Sequence, residues 1–221
     1  MQACPSCGAG AALDAHFCPQ CTKILPLQRQ ADYFGFLGLP RKLNLDAADL
    51  ERRFRSLSRQ FHPDYFYNAP PAERLASLER SSYLNDAYRT LKSPIARIEY
   101  LLKLEGFEQS ACGGRQSGPP QSLLEEVFAL NEELDEVREQ KASGAQADAW
   151  RARLDRARQP IEAKRVEHEA QLQELAERWD GVADNEDNGD RHTVLEALRD
   201  RVLERNYINN LLAGIERELH S

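Results

Sequence analysis

The chain has 221 residues, enough for one large domain or for two small ones with a peripheral module. Apolar residues make up 41% and charged residues 29%, which suits long solvated helices, and no run of roughly 18 apolar residues offers a membrane span. A net charge of −7 argues against nonspecific nucleic-acid binding, so any cationic contact surface has to be local.

The start carries no basic, apolar or Arg/Ser-rich targeting pattern before Cys4, so a cytoplasmic protein is expected. Four of the five cysteines form two turns, Cys4-Pro5-Ser6-Cys7 and Cys18-Pro19-Gln20-Cys21. Each turn presents two thiolates to one ion, and together they complete a tetrahedral set. Gly8 follows the first pair, where positive φ lets backbone amides turn toward the sulfurs. A disulfide pair or a thioredoxin-like motif would require an oxidising compartment or a βαβ context, and the sequence offers neither. The expectation is a structural zinc site, closed to catalysis, in a zinc-ribbon-like module over 1–28. Its binding free energy, on the order of 10 kcal/mol, would largely be the folding energy of that segment. His16 is expected to be a solvated loop residue, because four thiolates already saturate the ion. Cys112 lies alone in a Gly/Ser-rich stretch and reads as a free thiol.

Helical signals dominate from Asp32 onward, and no segment alternates with period two beyond the cysteine module. Asp32 to Leu37 predicts a short helix ended by Gly38 and Pro40. Asp46 is a good N-cap for the next helix, in which Leu50, Phe54, Leu57 and Phe61 share one face and Pro63 forces a stop. A polar loop with Pro70 and Pro71 leads to a third helix over about 72–92, whose apolar face is Leu84, Ala87, Tyr88 and Leu91. Ser93-Pro94 is an N-cap with proline at the first helical position, opening a fourth helix to about Glu105.

Residues 108–121 form the clearest linker. Three long helical stretches follow, at about 122–142, 146–180 and 191–220. Leu123, Val127, Leu130, Leu134 and Val137 keep the 3-4 spacing of a bundle seam. Pro160 is expected to kink or interrupt the second stretch. The fold class is therefore all-α, with an antiparallel three-helix bundle over 122–221. The acidic run from Asp184 has glycine at the sixth position of a calcium loop, but Leu195 stands where the twelfth-position glutamate belongs, so it reads as an inter-helix loop.

Phe61-His62-Pro63-Asp64 sits between the second and third helices. Opposite the apolar face of the second helix, Arg52, Arg55 and Arg59 make a cationic stripe on an otherwise acidic chain. One apolar face, one basic face and His-Pro-Asp at the end resemble the second helix of a J domain. Tyr83-Leu84-Asn85-Asp86-Ala87-Tyr88 and Asp32-Tyr33-Phe34 add to the likeness, which covers 29–107. The resemblance implies that Arg52, Arg55 and Arg59, with Arg53 at the rim, dock on a DnaK/HscA-type chaperone ATPase. His62, Pro63 and Asp64 would trigger ATP hydrolysis in that partner, with no catalysis on this chain.

The Gly/Phe-rich region and repeated cysteine motifs of the DnaJ type are absent. Residues 96–106 (Ala-Arg-Ile-Glu-Tyr-Leu-Leu-Lys-Leu-Glu-Gly) and Asn131-Glu132-Glu133-Leu134-Asp135-Glu136 are instead similar to HscB, the J-domain co-chaperone of iron–sulfur cluster assembly. The four-cysteine start departs from the shorter bacterial form and is similar to the longer, metal-binding form of the mitochondrial relatives. Leu124, Phe128, Glu132 and Glu136 follow one another at i, i+4 along a ridge off the bundle seam. An apolar pair followed by two carboxylates suits gripping a partner; the alternative is Phe128 packed on a neighbouring helix and solvated glutamates. The family resemblance implies that this ridge, with Tyr207 of the last helix, holds an IscU-type scaffold protein. A general J protein for unfolded clients is the alternative within chaperones. A zinc-ribbon nucleic-acid-binding or redox protein is the alternative outside them, disfavoured because Lys23 and Arg29 are the only cations near the cysteines. A homodimer stays open.

Overall fold

The structure, a computed structural model, describes residues 1–28, 32–107, 121–144, 146–183 and 188–220. The linker expected over 108–121 lies almost wholly outside the described residues, as do Cys112 and residues 184–187 of the acidic run. The chain divides into two compact units, Met1–Glu105 and Gly106–Ser221.

The first unit opens with two cysteine turns on short antiparallel pairings. Strand β1 (Gln2–Ala3) pairs with β2 (Gly10–Ala11), and Phe17 bridges to Ile24. Four helices follow: α1 (Tyr33–Phe36), α2 (Ala47–Phe61), α3 (Pro71–Lys92) and α4 (Pro94–Leu104). Their starts follow the capping residues. The Asp32 carboxylate accepts from Gly35 N–H at 2.7 Å, that of Asp46 from Ala48 N–H at 2.9 Å, and the Ser93 hydroxyl from Ala96 N–H.

The core of this unit gathers the positions that the helical spacing marks: Leu50 and Phe61 from α2, and Leu84, Ala87 and Leu91 from α3, with Phe34 and Phe36 from α1. Phe54 stacks on Tyr88 at 4.1 Å between centroids, and Tyr33 on Tyr100 at 4.3 Å. The cysteine segment shares this core, since Ile24 is buried in it and Phe17 packs against it.

The second unit holds α5 (Leu124–Ala142), α6 (Ala147–Val182) and α7 (Asn188–His220). Cross-links fix their directions. Glu126 pairs with Lys164 while Glu133 and Glu136 pair with Arg153, so α5 and α6 run antiparallel. Arg158 meets Glu216 at 2.8 Å and Glu169 meets Arg205 at 3.5 Å, so α6 and α7 do as well. Such exposed pairs add little free energy. The seam of Leu123, Leu130, Leu134 and Val137 with Trp150, Leu154, Ile161, Ile208 and Ile215 supplies the burial that holds the bundle.

Of the kink or interruption expected at Pro160, the interruption is not found: α6 runs through it unbroken. Proline removes one helical N–H, but Leu154 and Ile161 anchor the helix on either side and Arg158 ties it to Glu162 and Glu216. No helix among the described residues is long and apolar enough to cross a membrane.

Candidate functional site

Helix α2 ends because Pro63 excludes His62 from the helical region, and His62 takes φ −58° and ψ 126°. Pro63 then starts a 3-10 turn over Pro63–Phe66. The His62 imidazole caps it, Nδ1 accepting from the Asp64 N–H at 3.3 Å, which leaves Nε2 as the donor of the neutral ring. The Asp64 carboxylate is 86% exposed and lies 3.5 Å from His62 Nδ1. Beneath the turn, Phe61 is fully buried and its carbonyl accepts from the Ser77 hydroxyl at 2.6 Å and the Ser81 hydroxyl at 2.9 Å. A buried root thus presents an imidazole and a carboxylate outward on one short turn.

Arg52, Arg55 and Arg59 are exposed on α2. Arg52 is paired with Asp49 and Arg55 with Glu51, while Arg59 Nε donates to the Arg55 carbonyl. These intrahelical links hold long side chains against the helix without neutralising the face of three arginines. Arg53, expected at the rim, turns inward. It donates to the Gly38 carbonyl at 2.6 Å, the Leu37 carbonyl at 3.2 Å and Asp49 at 2.9 Å, and so fastens the loop after α1. Tyr65 and Tyr67, missed by the sequence reading, are 75% and 77% exposed beside the His-Pro-Asp turn. Aromatic residues in a loop without apolar periodicity were the available signal.

The four cysteine sulfurs converge. Cys4 lies 3.6 Å from Cys21, Cys7 lies 3.6 Å from Cys18, and all four sulfurs fall within 4.8 Å of one another. A tetrahedral ion with metal–sulfur bonds of about 2.3 Å needs sulfurs about 3.8 Å apart, so the set could hold a metal ion. Its two halves repeat one design. Gly8 N–H donates to the Cys4 carbonyl at 2.8 Å and Thr22 N–H to the Cys18 carbonyl at 2.9 Å. Gly8 and Thr22 both have positive φ, 74° and 58°.

Cys18 and Cys7 are shifted in opposite directions. The N–H groups of Cys21 and Gln20 draw the Cys18 thiol down to about 6. Cys7, although the Ala9 N–H favours its thiolate, is pushed up to about 12 by hydrogen bonding to Cys21, by burial, and by Cys18 and Cys4. A central cation would stabilise all four thiolates together.

His16 is not solvated, contrary to the sequence reading. Its ring packs edge-on against Phe36 at 4.9 Å and Phe61 at 5.0 Å, and Arg80 Nη1 reaches its Nδ1 at 2.7 Å. Arginine only donates, so His16 Nδ1 accepts and the imidazole is neutral. Burial, and then the Arg80 charge, lower its pKa to about 4. Arg80 itself is 2% exposed on α3. Its signal in the sequence was register, four residues from both Ala76 and Leu84 on the buried face of α3.

On α5, Phe128 is 69% exposed, so it does not pack on a neighbouring helix. Leu124 is half-buried, Glu132 exposed, and Glu136 half-buried and paired with Arg153. Tyr207 packs against the bundle core from α7. An open cleft of about 720 Å³, which the sequence did not announce, lies between α5 and α6 and is lined by Leu130, Arg153, Ala157, Pro160 and Ile161.

No family model matches the chain. Solved structures do. The crystal structure of the human co-chaperone protein HscB superposes with a TM-score of 0.68 at 26% identity, over 98% of each chain. Chaperone HscB from Vibrio cholerae superposes with a TM-score of 0.57 at 30% identity, over 85% of this chain and 96% of the other.

Proposed function

The chain belongs to the HscB co-chaperone family, and we propose that it is an adaptor, not an enzyme, bringing an IscU-type iron–sulfur scaffold to a DnaK/HscA-type chaperone and stimulating that chaperone's ATPase. The arginine face of Arg52, Arg55 and Arg59 meets an acidic surface of the ATPase, setting orientation and association rate. His62, Pro63 and Asp64 then engage the partner. The exposed Asp64 carboxylate accepts charge-assisted hydrogen bonds from a partner cation, and the proline-fixed turn holds it in place. On the bundle, Phe128 and Leu124 bury apolar surface against the scaffold, Glu132 and Glu136 set the register, and Tyr207 adds to the grip. Cys4, Cys7, Cys18 and Cys21 hold zinc as a structural ion.

One observation carries the reading: an outward His62-Asp64 pair on a turn rooted in the core, at the end of an arginine-faced helix. The test is steady-state ATP turnover by a DnaK-type chaperone with the wild-type protein and with His62→Gln. Wild type is expected to stimulate turnover severalfold and His62→Gln to leave it at the basal rate. Equal stimulation by both proteins, or none by either, would overturn the reading.

A further inference from the structure

Arg80 joins the cysteine module to the root of the His-Pro-Asp turn. Its guanidinium is buried and spans segments 54 to 65 residues away: Nε donates to the Leu25 carbonyl at 2.7 Å, Nη2 to the carbonyls of Pro26 at 3.1 Å and Ala15 at 3.4 Å, and Nη1 to His16. All of these acceptors lie in the segment that carries, or directly follows, the second cysteine turn. The same guanidinium stands over the rings of Phe36 at 5.8 Å and Phe61 at 5.6 Å. Phe61 is the residue before His62. Its ring also stacks on Phe17 of the module at 5.9 Å, and its carbonyl is held by Ser77 and Ser81, which flank Arg80 on α3. Lys23, two residues past Cys21, adds an outer tie to Glu73 at 3.0 Å.

A buried guanidinium needs its donors matched, and here the module's backbone supplies three of the acceptors. That backbone leans on the cysteine turns, which in a segment this short a bound ion would hold.

We propose that Arg80 is a positioning residue for His62-Pro63-Asp64 and that it makes the order of this turn depend on the metal load of the four-cysteine module. Loss of the ion slackens the module, strips Arg80 of its acceptors and opens water access beside Phe61, so the end of α2 and the turn after it fray. The consequence for chaperone stimulation rests on the function proposed above. The coupling within the first unit does not.

The experiment is hydrogen exchange of the full-length protein, followed over residues 61–66. It compares wild type loaded with zinc, wild type after chelation, and Arg80→Met and Arg80→Lys in both states, with zinc content measured for each. Loaded wild type should protect the turn. Chelation or Arg80→Met should each raise exchange there about tenfold, as expected for a lost buried hydrogen-bond set. Chelating Arg80→Met should add little more, because both changes break one link. Arg80→Lys keeps the charge but not the fork and should fall between.

Chelation that opens residues 1–28 and leaves 61–66 as protected as before would overturn the proposal. So would effects of chelation and Arg80→Met that multiply independently. ATP turnover on the same samples separates the two ideas. Coupled exchange with no chaperone stimulation by loaded wild type sinks the functional reading and leaves the coupling intact. Uncoupled exchange with normal stimulation does the reverse.

Discussion

Thr22 has φ 58°, in a region that glycine enters freely and a β-branched residue does not; Gly8 takes the matching place in the other cysteine turn with φ 74°. The positive φ turns the chain back so that the Lys23 carbonyl accepts from Cys18 N–H at 2.9 Å, and the Thr22 hydroxyl partly offsets the strain by donating to the Cys21 carbonyl at 2.8 Å. Thr22→Gly should therefore stabilise the loaded module by about 1 kcal/mol, and Gly8→Val should cost at least as much. Competition with a chelator reads both as shifts in zinc retention, in opposite directions. Equal retention in the two variants would mean that the turns are not held by this backbone geometry.

At the scale of elements, the hairpin of α6 and α7 buries a polar cluster in an apolar seam. His168 is 3% exposed on α6, and its Nε2 donates to the Arg201 carbonyl at 2.7 Å while Nδ1 has no hydrogen-bond partner among the described residues. Glu204 stands 3.8 Å away, paired with Arg201 at 2.6 Å and bonded by the Ser122 hydroxyl. Burial is the main cause lowering the His168 pKa. The Arg201 carbonyl and Glu204 oppose the shift, and the Arg201 and Arg205 charges add to it.

A histidine pKa lowered in the folded state means that the unfolded chain binds the proton more readily. The bundle therefore keeps its full stability above the ordinary histidine range and loses some as pH falls through about 6.5. Both tryptophans, Trp150 and Trp179, are on α6, so tryptophan fluorescence follows this unit alone. Its melting temperature should drop between pH 7.5 and pH 5.5, and His168→Leu should flatten that slope. A slope unchanged in His168→Leu would place the titrating group elsewhere.

Across the whole molecule, the features legible in the sequence were those whose chemistry is packed into neighbouring residues. The cysteine turns needed only four residues each. The end of α2 needed only Pro63, and the apolar faces of α2 and α3 only their own periodicity. What stayed hidden depends on residues brought together from far apart. Arg80 and His16 are 64 positions apart, and each read singly looks like a solvated polar side chain. Arg53 reads like its neighbours Arg52 and Arg55 until the loop after α1 folds back over it. Pro160 breaks helices in isolation, and only the packing on both sides of it shows why α6 continues.

The adaptor reading requires both partner sites on one chain. It is tested most directly by ATP turnover of the chaperone in the presence of the scaffold, using two singly damaged proteins, His62→Gln and Phe128→Asp. Wild type should stimulate turnover synergistically with scaffold, each variant should lose the synergy, and an equimolar mixture of the two should not regain it. Recovery of wild-type synergy by the mixture would contradict the account, because the turn and the ridge would then act without being joined.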